Sequence, residues 1–169
     1  SVCLFSGGLD SLVGAIDLLE GEREVVLVGH YGPNRMASKV QRIVWRNFPD
    51  YYKSRSNLLS VRVEPPNIGA SYENTTRCRS FLYLALGVAV ANTLGRGTKL
   101  YVPENGFISL NVPLTNTRLG SLSTRTTHPY FIQLFRTLLD TLGLDHAVKL
   151  PYRFQTKGEM LQAVKAKGG

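Results

Sequence analysis

The chain has 169 residues, 43% of them apolar and 19% charged, and its 20 Lys and Arg against 12 Asp and Glu give a net charge of +8. That is the length of one domain with enough apolar material for a core, which argues against an intrinsically disordered chain. The longest apolar run, Phe81 to Ala91, is far short of the roughly 20 residues that span a bilayer, and the two cysteines, Cys3 and Cys78, are too few for a disulfide framework or a four-ligand zinc site.

In chain order, Val2 to Phe5 reads as a short buried strand, closed by Gly7-Gly8, and Leu12 to Glu20 carries apolar residues at helical spacing. Glu24 to Gly29 is a continuous β-branched run, as expected of a strand covered on both faces of a parallel sheet. Ala37 to Phe48 predicts a helix with Val40, Ile43, Val44 and Phe48 on its core face, and Trp45 beside them in the core. Leu58 to Val63 is a third strand, stopped by Pro65 and Pro66. Phe81 to Leu94 is apolar on almost all sides, predicting a deeply packed helix that ends at Gly95. Lys99 to Val102 and Ala147 to Leu150 are a fourth and a weaker fifth strand. Between them, Asn105 to Thr127 is polar and aperiodic, and loops of that length are usually functional or mobile. Pro129 to Leu142 predicts a helix with Thr127 or His128 as its cap, and Thr156 followed by Glu159 forms a capping-box pattern opening a last helix to Lys165.

Strands alternating with helices in this way predict an α/β fold, a doubly wound parallel five-stranded sheet with helices on both faces, formed by residues 1–169 as one domain. No repeat, low-complexity tract or linker interrupts it. Ser1 to Gly8 has no basic region of the kind a signal peptide carries. The chain opens directly on a strand and stops at Lys165-Ala166-Lys167-Gly168-Gly169, so it reads as part of a longer protein, and its cysteine usage fits a reducing, cytoplasmic setting.

The chemistry is concentrated in Ser6-Gly7-Gly8-Leu9-Asp10-Ser11, between the first strand and the first helix. Two glycines let the backbone turn sharply and approach a ligand, leaving N–H groups at a helix N-terminus where the dipole favours an anion. Ser6 and Ser11 add hydroxyl donors, and Asp10 suits a Mg²⁺ whose other ligands are phosphate oxygens. Neither the lysine-containing phosphate loop nor the G-x-G-x-x-G dinucleotide fingerprint is present. The plainer alternative is a tight turn with Asp10 as a helix cap.

This string resembles the SGGxDS loop of the PP-loop ATP pyrophosphatases. Further segments resemble the 7-cyano-7-deazaguanine synthase, or QueC-like, branch of that superfamily: Val28-Gly29-His30-Tyr31-Gly32, Arg79-Ser80-Phe81-Leu82-Tyr83-Leu84-Ala85 and Tyr152 to Met160. Pro103 to Leu114 and Ser123 to Tyr130 are most similar to QueC-like proteins of the Qat anti-phage defence systems. The resemblance implies an adenine-nucleotide α-hydrolase-like (HUP/PP-loop) fold that binds ATP and Mg²⁺. It implies that the ATP β,γ-pyrophosphate sits on residues 6–11 and that a substrate carboxylate, such as a 7-carboxy-7-deazaguanine-type acid, is activated as its acyl-adenylate. The amine that follows would come from ammonia or, in the defence relatives, from a protein partner. The four-cysteine zinc cluster of the biosynthetic synthase is not found in these residues, and His30 replaces its Asp.

Around the loop, the ends of the second and fourth strands should meet the ligand, since open α/β sheets bind at the carboxyl edge. His30 is therefore a candidate for the adenosine, and Glu104 and Asn105 for the acceptor pocket. Arg77 and Arg79 precede a helix start, where a cation is disfavoured unless an anion lies nearby, and Lys157 presents the same conflict. Arg79 is assigned to ATP, Arg77 to the substrate, and Lys157, by the resemblance, to the ATP or acyl-adenylate site. Arg125 and His128, in and after the polar excursion, are further substrate candidates. Two rival readings share the fold: a tRNA-modifying PP-loop enzyme, suggested by the charge of +8 but lacking paired cysteines, and a non-catalytic ATP-binding subunit of a defence complex. Nucleic acid is thus not the favoured partner, and no membrane is expected.

Overall fold

β1 (Val2–Leu4) is the central strand of a five-stranded parallel sheet, with β2 (Val25–Tyr31) and β3 (Ser56–Arg62) on one side and β4 (Leu100–Tyr101) and β5 (Val148–Lys149) on the other, in the order β3-β2-β1-β4-β5. The computed structural model describes residues 1–21, 23–32, 34–63, 79–110 and 127–167. Val2 pairs with Val26 on one side and with Leu100 on the other, so β1 is hydrogen-bonded along both edges.

Successive β1 side chains point to opposite faces, and both faces are covered. Val2 and Leu4 join Leu84, Val88 and Ala91 of α4 (Arg79–Leu94) and Ile132, Phe135 and Leu139 of α6 (Pro129–Thr141). Cys3 and Phe5 join Ala15, Leu18 and Leu19 of α1 (Leu9–Glu20) together with Phe48, which follows α2 (Met36–Arg46). The wholly buried Cys3 thiol is pushed up to about 12 by its apolar surroundings, so it behaves as a small hydrophobe. Chain order explains the two layers: β1, β2 and β3 step one way across the sheet, while β4 and β5 step the other. Right-handed crossovers then put α1 and α4 on opposite faces. The doubly wound α/β architecture expected from the element order is the one observed.

Three local expectations are corrected. β2 runs on to Tyr31, so His30 and Tyr31 end the strand instead of following it, because β3 continues alongside in the register His30↔Val61 and Tyr31↔Arg62. On α2 the buried residues are Ser38 and Gln41, whereas Val40 is exposed and Ile43 is 59% exposed. Gln41 wins the core position because Gly29 opposite has no Cβ, and its amide is satisfied by donating to the His30 carbonyl at 3.3 Å and accepting from Ser60 Oγ at 2.7 Å. α4 buries only one stripe, leaving Phe81 and Leu94 exposed, because the sheet lies on one side of it. It ends before Gly95, whose φ of +116° supplies the left-handed conformation expected there.

The polar excursion opens with a short helix, α5 (Gly106–Leu110), and residues 111–126 lie outside the described set. A four-residue helix, α3 (Asp50–Lys53), precedes β3, and α7 (Lys157–Lys167) packs through Met160 on Val13 of α1. Among the described residues, no helix is long and apolar enough to cross a membrane.

At Gly14 of α1 the packing is tight: an added Cβ would lie 2.3 Å from Cβ of Pro103, just beyond β4. The rigid proline ring cannot yield, so Gly14→Ala should lower the unfolding free energy by about 1–3 kcal/mol. Gly158→Ala, whose Cβ meets nothing nearer than Thr156 Oγ1 at 3.8 Å, should instead raise it by about 0.5–1 kcal/mol. Urea unfolding midpoints of the two variants check the pair, and similar shifts in both would contradict the packing.

Candidate functional site

Strand order reverses between β1 and β4, so the chains leaving these two neighbours diverge and open a crevice at the sheet's carboxyl edge. The Ser6-to-Ser11 string occupies one side of it. Gly7 has φ +82°, a conformation that favours glycine, and a Cβ there would lie tightly at 3.0 Å from Val40 Cγ1 and 3.1 Å from the backbone nitrogen of Gln41. Gly8 is the N-cap of α1 and brings no side-chain acceptor to the helix's first N–H groups. Ser11 Oγ donates to the Gly8 carbonyl at 2.8 Å and lies 3.2 Å from Ser6 Oγ, which also accepts from the Gly8 N–H at 3.3 Å. The two hydroxyls thus brace the loop from within.

Asp10, in the first turn of α1, is only 9% exposed. Its Oδ2 accepts two bonds from Asn105 beyond β4, from Nδ2 at 2.6 Å and from the backbone N–H at 3.2 Å. Its Oδ1 has no hydrogen bond, but Lys157 Nζ, at the start of α7, lies 3.5 Å away. Thr156 and Glu159 set that helix start: Thr156 N–H donates to Glu159 Oε2 at 2.6 Å, and Glu159 N–H donates to Thr156 Oγ1 at 3.3 Å, the reciprocal pair the sequence predicted. These bonds from Thr156 hold the Glu159 carboxyl below its ordinary range.

Ser6, Gly8, Leu9, Asp10, Ser11, Glu104 and Lys157 line a single cavity of about 170 Å³. Seven of the residues singled out from the sequence are therefore brought together by the fold. Gly7 lies in the same loop but does not line it. Asn105, just beyond β4, braces the site from behind. It is 2% exposed, and while its N–H groups hold Asp10, its Oδ1 accepts from the N–H groups of Phe107 and Ile108 at the start of α5. Every polar group of its side chain is thus used in the fold.

The other candidates separate. Arg79 is exposed at the first residue of α4, on the helix whose Tyr83 reaches the cavity. His30 Nε2 lies 3.3 Å from the Val63 carbonyl and does not line the cavity. His128 is the N-cap of α6, its Nδ1 accepting from the Tyr130 N–H at 3.3 Å. Arg77 and Arg125 lie outside the described residues. Two residues were missed by sequence reasoning. Tyr83 lines the cavity while donating to the Val28 carbonyl at 2.9 Å, and Thr127 donates to Glu104 Oε2 at 3.1 Å, with Ser109 Oγ 2.9 Å away. Nothing local marks either, although Tyr83 faces the same way as the buried Leu84-to-Ala91 stripe only once the sheet is in place.

Burial raises the Glu104 carboxyl to about 7, the nearby Asp10 carboxylate adding to the rise while the Thr127 bond and Lys157 oppose it. Two carboxyl groups in one small cavity call for a cation, and the orphan Oδ1 of Asp10 fits a divalent ion that takes its remaining ligands from phosphate and water. Among the described residues, no cluster of three or more His, Cys, Asp and Glu side chains forms a metal site made of protein ligands alone. The unclaimed N–H groups of α1 fit phosphate oxygens.

No protein-family model matches the chain, and a comparison with curated proteins finds no match.

Because native Glu104 keeps its proton up to about pH 7 whereas an unfolded glutamate loses it near 4.5, the native state binds more protons between those values. Stability should therefore fall as pH rises through this window, and the cost should be complete above it. In urea unfolding from pH 4 to 8, Glu104→Gln should flatten this decline and gain most over wild type at pH 8. Parallel profiles would mean that Glu104 is not the raised group.

Proposed function

We propose that this chain is the catalytic nucleotide-binding domain of an ATP-dependent adenylating enzyme of the PP-loop, QueC-like kind. The observation that carries the reading is the nine-tenths buried Asp10, whose Oδ1 has no hydrogen bond in a cavity shared with a glycine-turned helix N-terminus and Lys157. A carboxylate facing an anion site is repulsive unless a divalent cation stands between them, which is the arrangement ATP with Mg²⁺ brings.

In this reading Ser6, Gly7, Gly8, Leu9 and Ser11 hold the terminal pyrophosphate, and Asp10 holds the Mg²⁺. The metal, when bound, neutralises charge on the phosphate oxygens. Lys157, with its ammonium beside Asp10, adds positive charge where the leaving group departs. Arg79 approaches the phosphates or ribose from the α4 side and His30 the adenosine from the β2 side. A substrate carboxylate oxygen forms a bond to the α-phosphorus as the bond to the β-phosphate oxygen breaks, so pyrophosphate leaves with that electron pair and the acyl-adenylate remains for an amine. Glu104 faces the acceptor side of the cavity and, near neutrality, is able to hold or release a proton there. The segments resembling Qat proteins extend the reading to a deazaguanine-type acid used in cytoplasmic anti-phage defence, with a small amine or a protein as acceptor.

The test is pyrophosphate and AMP release by the full-length protein with ATP, Mg²⁺ and 7-carboxy-7-deazaguanine. Asp10→Asn keeps an oxygen for Asn105 while removing the charge, so it should lower release at least about a hundredfold with the thermal midpoint nearly unchanged. Undiminished release in this variant would refute the mechanism, and ATP binding without any release would favour a non-catalytic subunit.

A further inference from the structure

α2 presents two parallel stripes to solvent, and neither lines the Asp10 cavity. Arg35, Lys39, Arg42 and Arg46 are all exposed, and alternating steps of four and three residues keep them within about 60° of one another around the helix axis. The helix has no Asp or Glu, and none of the four cations makes an ion pair or side-chain hydrogen bond with a described residue. Alongside them Met36, Val40 and Ile43 repeat at the same steps as an apolar ridge, with Met36 and Ile43 each 59% exposed. On the far side of the ridge Val44 already packs against the core.

The cationic stripe works against the isolated helix. Like charges three and four residues apart repel, and Arg35 stands at the N-cap, where the helix dipole disfavours a cation. An anionic partner removes both conflicts, and the ridge decides which kind of polyanion fits. A phosphate backbone has no apolar counterpart for Met36 and Ile43, and the one aromatic of α2, Trp45, is half-buried with Nε1 donating to Ser56 Oγ at 3.1 Å, so no ring on this helix is free to stack on a base. A bilayer surface suits an apolar stripe flanked by cations on both sides, whereas here one flank is cationic and the other is core. A second copy of this chain does not match either. Of the three acids on α1, Asp10 is buried while Asp17 and Glu20 accept from Tyr152 and Tyr52, and no other described helix has more than one.

We propose that the outer face of α2 docks an acidic amphipathic helix of a partner protein, its carboxylates on the Arg35-to-Arg46 stripe and its apolar residues on Met36, Val40 and Ile43. The stripe is about 16 Å long, which a partner helix of about three turns covers. Docking at α2 does not depend on any reaction in the Asp10 cavity, although Val40 Cγ1 lies 3.0 Å from the position of a Cβ on Gly7, which sets the partner beside that loop.

Fluorescence anisotropy of the full-length protein with a labelled helical peptide tests the surface. The peptide has about 18 residues, long enough to hold a helix, with Glu along one stripe and Leu along the next; its scrambled isomer keeps the composition and loses the stripes. Wild type should bind the striped peptide at least about tenfold more tightly than the scrambled one. Lys39→Glu with Arg42→Glu should weaken binding at least about tenfold, and Met36→Ser with Ile43→Ser at least about fivefold. All four side chains are exposed, and circular dichroism verifies folding. Equal affinity for the two peptides would overturn the proposal, as would loss of binding in the charge variant with none in the Met36 and Ile43 variant. Tighter binding of a single-stranded oligouridylate, insensitive to Met36→Ser with Ile43→Ser, would also overturn it and give the face to nucleic acid. Sedimentation with phosphatidylserine vesicles that is lost in the Met36 and Ile43 variant, without binding of the striped peptide, would overturn it in favour of a membrane surface.

Discussion

The pair of hydrogen bonds from Asn105 to Asp10 Oδ2 is the constraint on which the site depends. It joins the loop leaving β1 to the chain leaving β4 across the point where the strand order reverses, and the same Asn105 starts α5 through its Oδ1. One buried side chain therefore fixes the distance between the two lips of the crevice. It also decides which Asp10 oxygen is used up and which faces the cavity. With Oδ2 doubly bonded, Oδ1 is left to Lys157 and to whatever cation or ligand enters. A buried polar junction of this kind is tolerated because its members satisfy one another, and each broken bond would leave a desolvated group behind.

Electrostatically the cavity is balanced for a change of charge. Asp10 and Glu104 bring two carboxyl groups within one small volume, Lys157 offsets part of that charge, and Glu104 meets the rest by holding its proton to about neutrality. On the proposed adenylation reading, a polyphosphate with its cation would alter every one of these terms at once. The α1 N-terminus adds oriented N–H groups that need no reorganisation. Lys157 places part of the chain's positive charge at this cavity. The charge excess alone points to polyanions in general.

The packing serves this edge. β1 is buried on both faces and paired on both sides, so the loop that follows it leaves from the least deformable strand in the sheet. Gly14 lets α1 settle onto Pro103, and Tyr152 of the segment before α7 reaches back to Asp17 of α1. α1, the β4 exit and the start of α7 are thereby held as one body, and they are the three sources of Asp10, Asn105 and Lys157.

The sequence by itself determined the features governed by neighbours along the chain. Apolar runs marked the parallel strands, the Ser6-to-Ser11 string marked a sharp strand-to-helix turn, Gly95 ended α4, and Thr156 with Glu159 opened α7. Each is set by backbone sterics or by hydrogen bonds a few residues long. Tertiary structure alone decided what depends on strand order. Gln41 rather than Ile43 faces the core because Gly29 leaves a gap on the adjacent strand, and His30 stays in β2 because β3 extends alongside it. Asn105 holds Asp10, and Thr127 reaches Glu104, because β4 lies next to β1 while 95 residues separate Asp10 from Asn105 along the chain. Periodicity reports which way a residue faces within its own element, and it carries no information about which other element will stand opposite.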